Sequence, residues 1–217
     1  MKNYLKNRKI LEEGHVYSKS MEHDACGVGL IASTEGKKSR KVVEYGINAL
    51  KAVFHRGAVD ADGKTGDGAG IHLEIPSNFF MEKIELTGHK HDGSEICVGM
   101  IFLPRNNYEA QENARTLVES ELTRSNFSIY GWRQVPVKTK VLGEKANFTR
   151  PEITQVLFKY NDKNLTGKKL ERKLYESRRK IEKEAIKNAI EGFYICSLSS
   201  KSIIYKGMFL AESIADF

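Results

Sequence analysis

One cysteine lies where a charged leader gives way to an apolar stretch, and its position is suited to nucleophilic chemistry. Cys26 follows Ala25 and precedes the apolar, glycine-containing run from Gly27 to Ala32. If the Ala25-Cys26 bond were cleaved, Cys26 would carry a thiol nucleophile and a free α-amino group. An α-amino group has a pKa of about 7.7 to 8.0, so it can accept the thiol proton. Alternatively, Cys26 packs as a small apolar residue, as free cysteines commonly do.

Two further motifs lie downstream of this cysteine. His55-Arg56-Gly57-Ala58 follows a run of apolar residues at helical spacing. Gly57 suits the left-handed position just past a helix, and Arg56 is either a cation favourably placed near that helix end or part of a substrate pocket. The next eleven residues, from Asp60 to Gly70, include four glycines and three aspartates, which predicts a loop. Its spacing matches neither a dinucleotide fingerprint nor a phosphate-binding loop.

Together these motifs resemble the start of the large subunits of glutamate synthases. Cys26-Gly27-Val28-Gly29 and Arg56-Gly57 are similar to class II glutamine amidotransferases in general, whereas the run from Ala61 to Gly70 is more specific to glutamate synthases. Segments near the end of the chain, Phe193 to Ser200 and Tyr205 to Met208, are also similar to this family. The resemblance covers nearly the whole chain and favours the catalytic interpretation of Cys26.

The resemblance implies a propeptide over residues 1–25 and part of a class II glutamine amidotransferase domain over residues 26–217. Cys26 would attack the side-chain amide of L-glutamine and release ammonia through a thioester, with Arg56 and Gly57 in the substrate pocket. In the full-length family that ammonia aminates 2-oxoglutarate, and the product is reduced to glutamate. FMN and an iron-sulfur cluster serve a synthase region of the family that lies outside this segment. No cofactor is expected within the segment itself. The electrons come from a small NAD(P)H-oxidising subunit or from ferredoxin.

The family's amidotransferase domain continues past Phe217, so the resemblance implies that an Asn-Gly oxyanion hole and further substrate-binding residues are missing here. We therefore expect little glutaminase activity from this chain alone.

Two alternative functions remain open. One is another class II amidotransferase, of the amidophosphoribosyl or glucosamine-phosphate type, although the run from Asp62 to Gly68 argues against it. Another is a non-catalytic basic binding module that uses the helix predicted near Lys168 to Lys187, where nine Lys or Arg face four Glu.

The composition indicates which class of protein this chain belongs to. The chain of 217 residues is 40% apolar and 29% charged, which is typical of one soluble globular domain. It lacks a run of about 18 apolar residues and the apolar core of a secretory signal, so we predict a cytoplasmic protein without a membrane segment. The net charge of +7 is not combined with a recognisable nucleic-acid-binding module. Cys97 and Cys196 lie in apolar runs and are predicted core residues. His23, Asp24 and Cys26 could be metal ligands, but no second pair of ligands follows them at a suitable spacing, so no metal site is predicted.

Hydrophobic periodicity predicts the elements that would position these residues. We expect an α+β fold, because strands and helices do not alternate strictly. The resemblance implies stacked antiparallel β-sheets between helical layers, the αββα N-terminal-nucleophile hydrolase fold, incomplete at the C-terminus. Ser77 is predicted to cap a short helix, and Pro136 to Arg150 to be irregular. The predicted strands are Cys26 to Ala32, Ile71 to Ile75, Ile96 to Leu103, Ile129 to Val135, Ile153 to Tyr160, and a hairpin formed by Phe193 to Leu198 and Ser202 to Tyr205.

Overall fold

The computed structural model describes residues 2–14, 27–54 and 57–217. Helices and strands are distributed along these ranges without strict alternation. The α-helices are α1 (Lys2–Glu13), α2 (Arg40–Ala52), α3 (Ser77–Glu85), α4 (Tyr108–Arg124), α5 (Glu144–Thr149) and α6 (Gly167–Lys187). The strands are β1 (Ala69–Glu74), β2 (Ile96–Leu103), β3 (Phe127–Gln134), β4 (Glu152–Tyr160), β5 (Tyr194–Ser199) and β6 (Ser202–Gly207), and two short 3-10 helices span Thr139–Val141 and Ala211–Ala215.

The larger sheet is antiparallel and has the strand order β3-β4-β2-β5. Its central strand β2 is apolar at nearly every position, because both of its faces are covered. Cys97, Ile101 and Leu103 pack on one face against apolar residues of α4 and α6. Val98 and Met100 point to the opposite face, where they form a second core with residues of β6 and α3. The larger sheet therefore separates two cores.

The smaller sheet pairs β1 with β6 in antiparallel register, with Ile71 opposite Tyr205 and Leu73 opposite Ile203. Leu73, Ile203 and Tyr205 belong to the second core, so the two sheets are stacked face to face. Helix α2 packs beside β1, where an added Cβ on Gly46 would lie 3.5 Å from Ile71. The predicted α+β class with stacked antiparallel sheets is confirmed.

The strand predicted from Cys26 to Ala32 is wrong for its described part. Residues 27–32 form no strand and pair with none of the strands that the structure describes. Val28 and Leu30 are 91% and 90% exposed. The alternation of apolar residues is present in the sequence, but a strand also needs a hydrogen-bonded neighbour, and residues 27–32 have none in the part of the chain that the structure describes.

The hairpin predicted for β5 and β6 is also wrong, because the two strands belong to different sheets. The turn between them is held by side chains rather than by strand pairing. Ser199 Oγ accepts hydrogen bonds from the backbone N–H groups of Lys201 (2.9 Å) and Ser202 (3.1 Å) and donates one to Glu171 of α6 (2.8 Å). Glu171 also accepts from the backbone N–H of Ser200 at 2.7 Å. The chain thereby leaves one sheet and enters the other.

Two smaller expectations need correction. Ser77 is the first residue of α3 and makes no side-chain cap, because Pro76 occupies the capping position. The segment from Pro136 to Arg150 is not wholly irregular, since it contains the 3-10 helix Thr139–Val141 and helix α5. These are short elements whose apolar spacing gives little signal. None of the helices in the described ranges has the length and apolar character needed to cross a membrane.

Candidate functional site

The residues predicted to form the site are only partly described. Ala25, Cys26 and Arg56 lie outside the described residues. Gly57 is exposed, and its backbone N–H donates to the carbonyl of Phe54 at 3.1 Å. Helix α2 already ends at Ala52 with Val53 as its C-cap. Gly57 therefore does not occupy the position just past the helix that the sequence predicts for it.

The glycine-rich loop, residues 58–67, closes on itself. Val59 and Gly66 form an isolated antiparallel bridge, and the N–H of Asp60 donates to the carbonyl of Thr65 at 2.8 Å. At the base of the loop, the N–H of Ala58 donates to the Asp67 carboxylate (2.9 Å), and the N–H of Asp67 donates to the Ala58 carbonyl (3.3 Å). Because Ala58 directly follows Gly57, this closed base fixes one end of the predicted pocket segment.

Asp62 organises the interior of the 58–67 loop. Its carboxylate accepts hydrogen bonds from the Thr65 hydroxyl (2.6 Å) and from the backbone N–H groups of Thr65 (2.7 Å) and Lys64 (2.9 Å). These donors stabilise the ionised form, with the Thr65 hydroxyl contributing most, and hold the pKa of Asp62 well below its ordinary value. Gly63 adopts a φ of 70° at the tip, a conformation that glycine adopts without steric cost.

Helix α5 holds the 58–67 loop from outside. Lys145 Nζ donates to Asp60 at 2.6 Å, and the N–H of Ala146 donates to the Thr65 hydroxyl oxygen at 3.3 Å. The hydrogen bond from Lys145 is the main cause of the lowered pKa of Asp60, and the same bond raises the pKa of Lys145. Reasoning from the sequence missed this contact, since its partners lie 81 and 85 residues apart and no local pattern connects them.

The described residues do not fit a metal ion or an iron-sulfur cluster. They contain no group of three or more His, Cys, Asp or Glu side chains with suitable spacing. Cys97 and Cys196 are buried in different cores, and burial raises the pKa of both thiols. Both were predicted as core residues, and this prediction is confirmed. A thiol with a raised pKa is a poor nucleophile at neutral pH.

A groove of about 290 Å³ lies between the two sheets, beside α2. Val43 and Ile47 of α2 and Ile71 of β1 line it on one side, and Met100 and Phe102 of β2 on the other. Among the described residues that line it, Arg40 and Lys206 are the charged ones and none is acidic. The rest of its lining is mostly apolar.

Residues 26–217 match the family described as Glutamine amidotransferases class-II. The glutamate synthase [NADPH] large chain of Azospirillum brasilense is 53% identical over 211 residues, which cover 97% of this chain and 14% of that protein. The ferredoxin-dependent glutamate synthase of Pyropia yezoensis is 37% identical over 213 residues, covering 96% of this chain and 14% of that protein.

A third relative, ferredoxin-dependent glutamate synthase 2 of a Synechocystis strain, is 38% identical over 197 residues, or 90% of this chain and 12% of that protein. The chain thus spans 14% or less of the length of these relatives. The family match extends over most of the chain and includes both the 58–67 loop and the two stacked sheets. The protein therefore belongs to the class II glutamine amidotransferases.

Proposed function

We propose that this chain is the glutaminase part of a glutamate synthase and that Cys26 is its nucleophile. The observation that carries the proposal is that the family match begins at Cys26. Of the other two cysteines, Cys97 is fully buried and Cys196 is 4% exposed, so neither is available to a substrate. Cleavage of the Ala25-Cys26 bond would give Cys26 the free α-amino group that the mechanism needs.

In the proposed reaction the Cys26 sulfur attacks the side-chain amide carbon of L-glutamine. The α-amino group of Cys26 accepts the thiol proton and passes it to the leaving nitrogen, which departs as ammonia. The thioester that remains is hydrolysed by water, which releases glutamate and restores the thiol. Arg56 and Gly57 are proposed pocket residues.

In the full-length protein the ammonia would aminate 2-oxoglutarate at a site outside residues 1–217. FMN and an iron-sulfur cluster are implied there by the glutamate synthase relatives, and the described residues of this chain contain no group of side chains that fits the cluster. The identity of 53% to an NADPH-type large chain, against 37% and 38% to two ferredoxin-dependent enzymes, supports NADPH as the electron source. A small NADPH-oxidising subunit is the corresponding proposed partner.

The basic helix α6 does not support a second function. Four of its nine Lys and Arg side chains pair with glutamates of the same helix: Arg172, Arg178, Arg179 and Lys187. Arg178 also donates to the carbonyl of Ile195 on β5 at 2.9 Å. The family match supports the amidotransferase function over the binding-module alternative.

The first experiment tests removal of the leader. The full-length protein is expressed and its N-terminus is sequenced, with intact mass as a second readout. We expect the mature chain to begin at Cys26. A protein that keeps residues 1–25 and still hydrolyses glutamine would contradict the proposal, since the α-amino group of Cys26 would then be blocked.

The second experiment tests activity. Glutamate release from glutamine is measured for the full-length protein, its Cys26→Ser variant and residues 26–217 alone. We expect Cys26→Ser to abolish hydrolysis, because a hydroxyl is much harder to ionise than a thiol of pKa about 8.5. Residues 26–217 should have little activity, since loss of one oxyanion donor alone costs about 100- to 1,000-fold in rate. Equal turnover by residues 26–217 and the full-length protein would show that the pocket is complete before Phe217.

A further inference from the structure

We propose that Thr65, Asp62 and Gly143 are positioning residues, which hold the proposed pocket residue Gly57 in place by fixing the 58–67 loop against the start of α5. This inference rests on the proposed function, because it assigns a task to residues that contact no substrate. It extends that function to two segments that are far apart in the sequence, the loop after Gly57 and the turn at Gly143.

The 58–67 loop is connected directly to Gly57. Asp67 holds both backbone polar groups of Ala58: its carboxylate accepts from the Ala58 N–H at 2.9 Å, and its own N–H donates to the Ala58 carbonyl at 3.3 Å. One peptide bond then separates this closed base from Gly57. Rigid loops that carry substrate-positioning groups can change rates about 100-fold when they shift by about 1 Å.

Thr65 connects the interior of the loop to α5. It is 2% exposed, although most residues of the loop are exposed. Its hydroxyl donates to Asp62 at 2.6 Å and accepts from the backbone N–H of Ala146 at 3.3 Å. The Thr65 hydroxyl therefore makes one hydrogen bond within the loop and one to α5. Replacing it by a methyl group would leave the N–H of Ala146 and one lone pair of Asp62 without this partner.

Gly143 sets the distance between the loop and α5. Its φ of −69° and ψ of 164° are open to any residue, so backbone conformation does not require glycine here. Glycine is required because the loop approaches position 143 closely. A Cβ at position 143 would lie 2.6 Å from the backbone nitrogen of Thr65 and would also collide with Asp62 and the Thr65 hydroxyl. Because the nearest atoms include backbone, the loop itself would have to move.

The contact contributes little to the two main cores. Residues 61–64 are exposed, and none of the residues 58–67 belongs to either core between the layers. Loosening the loop should therefore change the position of Gly57 with only a small change in the melting temperature of the whole domain. A purely structural role would affect all of the domain's amides together.

The test compares Thr65→Val with Thr65→Ser in the full-length protein. Thr65→Val keeps the shape and removes the hydroxyl, whereas Thr65→Ser keeps the hydroxyl. We expect Thr65→Val to raise KM for glutamine and to lower kcat/KM by about 10- to 100-fold. Thr65→Ser should stay within about threefold of the parent. Thr149→Val, which removes an exposed α5 hydroxyl that contacts only the carbonyl of Lys145, is the matched control and should have no effect.

Amide hydrogen exchange gives a readout that does not need activity. Thr65→Val and Gly143→Ala should speed exchange at Gly57 and Ala58 at least tenfold and leave Val98 in the sheet unchanged. Unchanged exchange at Gly57 and Ala58 in both variants would overturn the proposal, as would equal damage by Thr65→Ser and Thr65→Val. A general rise in exchange with a matching fall in Tm would also overturn it. If the parent protein does not hydrolyse glutamine, the proposed function fails, and exchange at Gly57 and Ala58 still decides the role of the loop.

Discussion

The larger sheet and the region around the smaller sheet both contain segments rich in apolar residues, but these segments are packed very differently. Seven of the eight residues of β2 are buried, whereas none of the thirteen residues of α2 is buried. The β2 strand has neighbours on both edges and cores on both faces. Helix α2 lines an open groove, and residues 27–32 have no described strand beside them. An apolar pattern therefore predicts what a segment can bury, while its neighbours decide whether it does.

Substitution of leucine by alanine should show this contrast most strongly. Leu174 of α6 is fully buried between α6, α4 and the larger sheet, whereas Leu30 is 90% exposed. We expect Leu174→Ala to lower the free energy of unfolding by about 2 to 5 kcal/mol. Leu30→Ala should change it by less than about 0.5 kcal/mol.

Urea unfolding of the two leucine variants, followed by circular dichroism, measures both free energies. A cost for Leu30→Ala close to that for Leu174→Ala would break the comparison, because residues 27–32 would then be packed in solution.

Substitution of glycine by alanine should give a smaller contrast of the same kind. A Cβ at Gly99 of β2 would lie 2.6 Å from Val156 Cγ1 and 2.8 Å from Leu198 Cδ1, whereas nothing lies within 4 Å of one at Gly29. We expect Gly99→Ala to destabilise the domain by about 1 to 3 kcal/mol through overpacking. Gly29→Ala should be neutral within about 0.5 kcal/mol, and thermal unfolding of both variants compares them. A neutral Gly99→Ala would mean that the sheet is less tightly packed than described.

The third effect is the smallest and concerns pH. The pKa of Asp62 is lowered chiefly by the Thr65 hydroxyl, and that of Asp60 chiefly by Lys145. A lowered carboxyl pKa gives stability that is present above the ordinary value of 3.8 and is lost as the pH falls below it. Exchange protection at the N–H of Asp60, which donates to the Thr65 carbonyl inside the loop, should be equal at pH 7 and pH 5 after correction for intrinsic rates and should fall below about pH 4. Loss of protection between pH 7 and pH 5, with Val98 unchanged, would require another titrating group.

Sequence reasoning succeeded where a single local pattern specifies an element. The strand from Ile96 to Leu103 was predicted with its observed bounds. It failed for the β5-β6 hairpin, because the turn at Ser199 is held by Glu171 of a distant helix. It also missed the approach of Gly143 to Thr65, since no local rule links positions so far apart.

The prediction of Cys26 as the catalytic residue rests on its sequence neighbours and on family resemblance, not on a pattern that specifies a helix or strand. Because Cys26 lies outside the described residues, its role stays a proposal. The described parts of the chain contribute an indirect argument: Cys97 and Cys196 are buried and their thiol pKa values are raised by burial. The same burial should protect both thiols from reagents in the folded protein.

Alkylation by a diazoketone analogue of glutamine tests the central claim most directly. The full-length protein and its Cys26→Ser variant are treated with the analogue in the presence and absence of excess glutamine, and each cysteine peptide is measured by mass spectrometry. The account predicts one adduct, on Cys26 at the N-terminus of the mature chain, which glutamine suppresses and Cys26→Ser eliminates. An adduct on Cys97 or Cys196 of the folded protein that glutamine suppresses, with Cys26 unmodified, would contradict it.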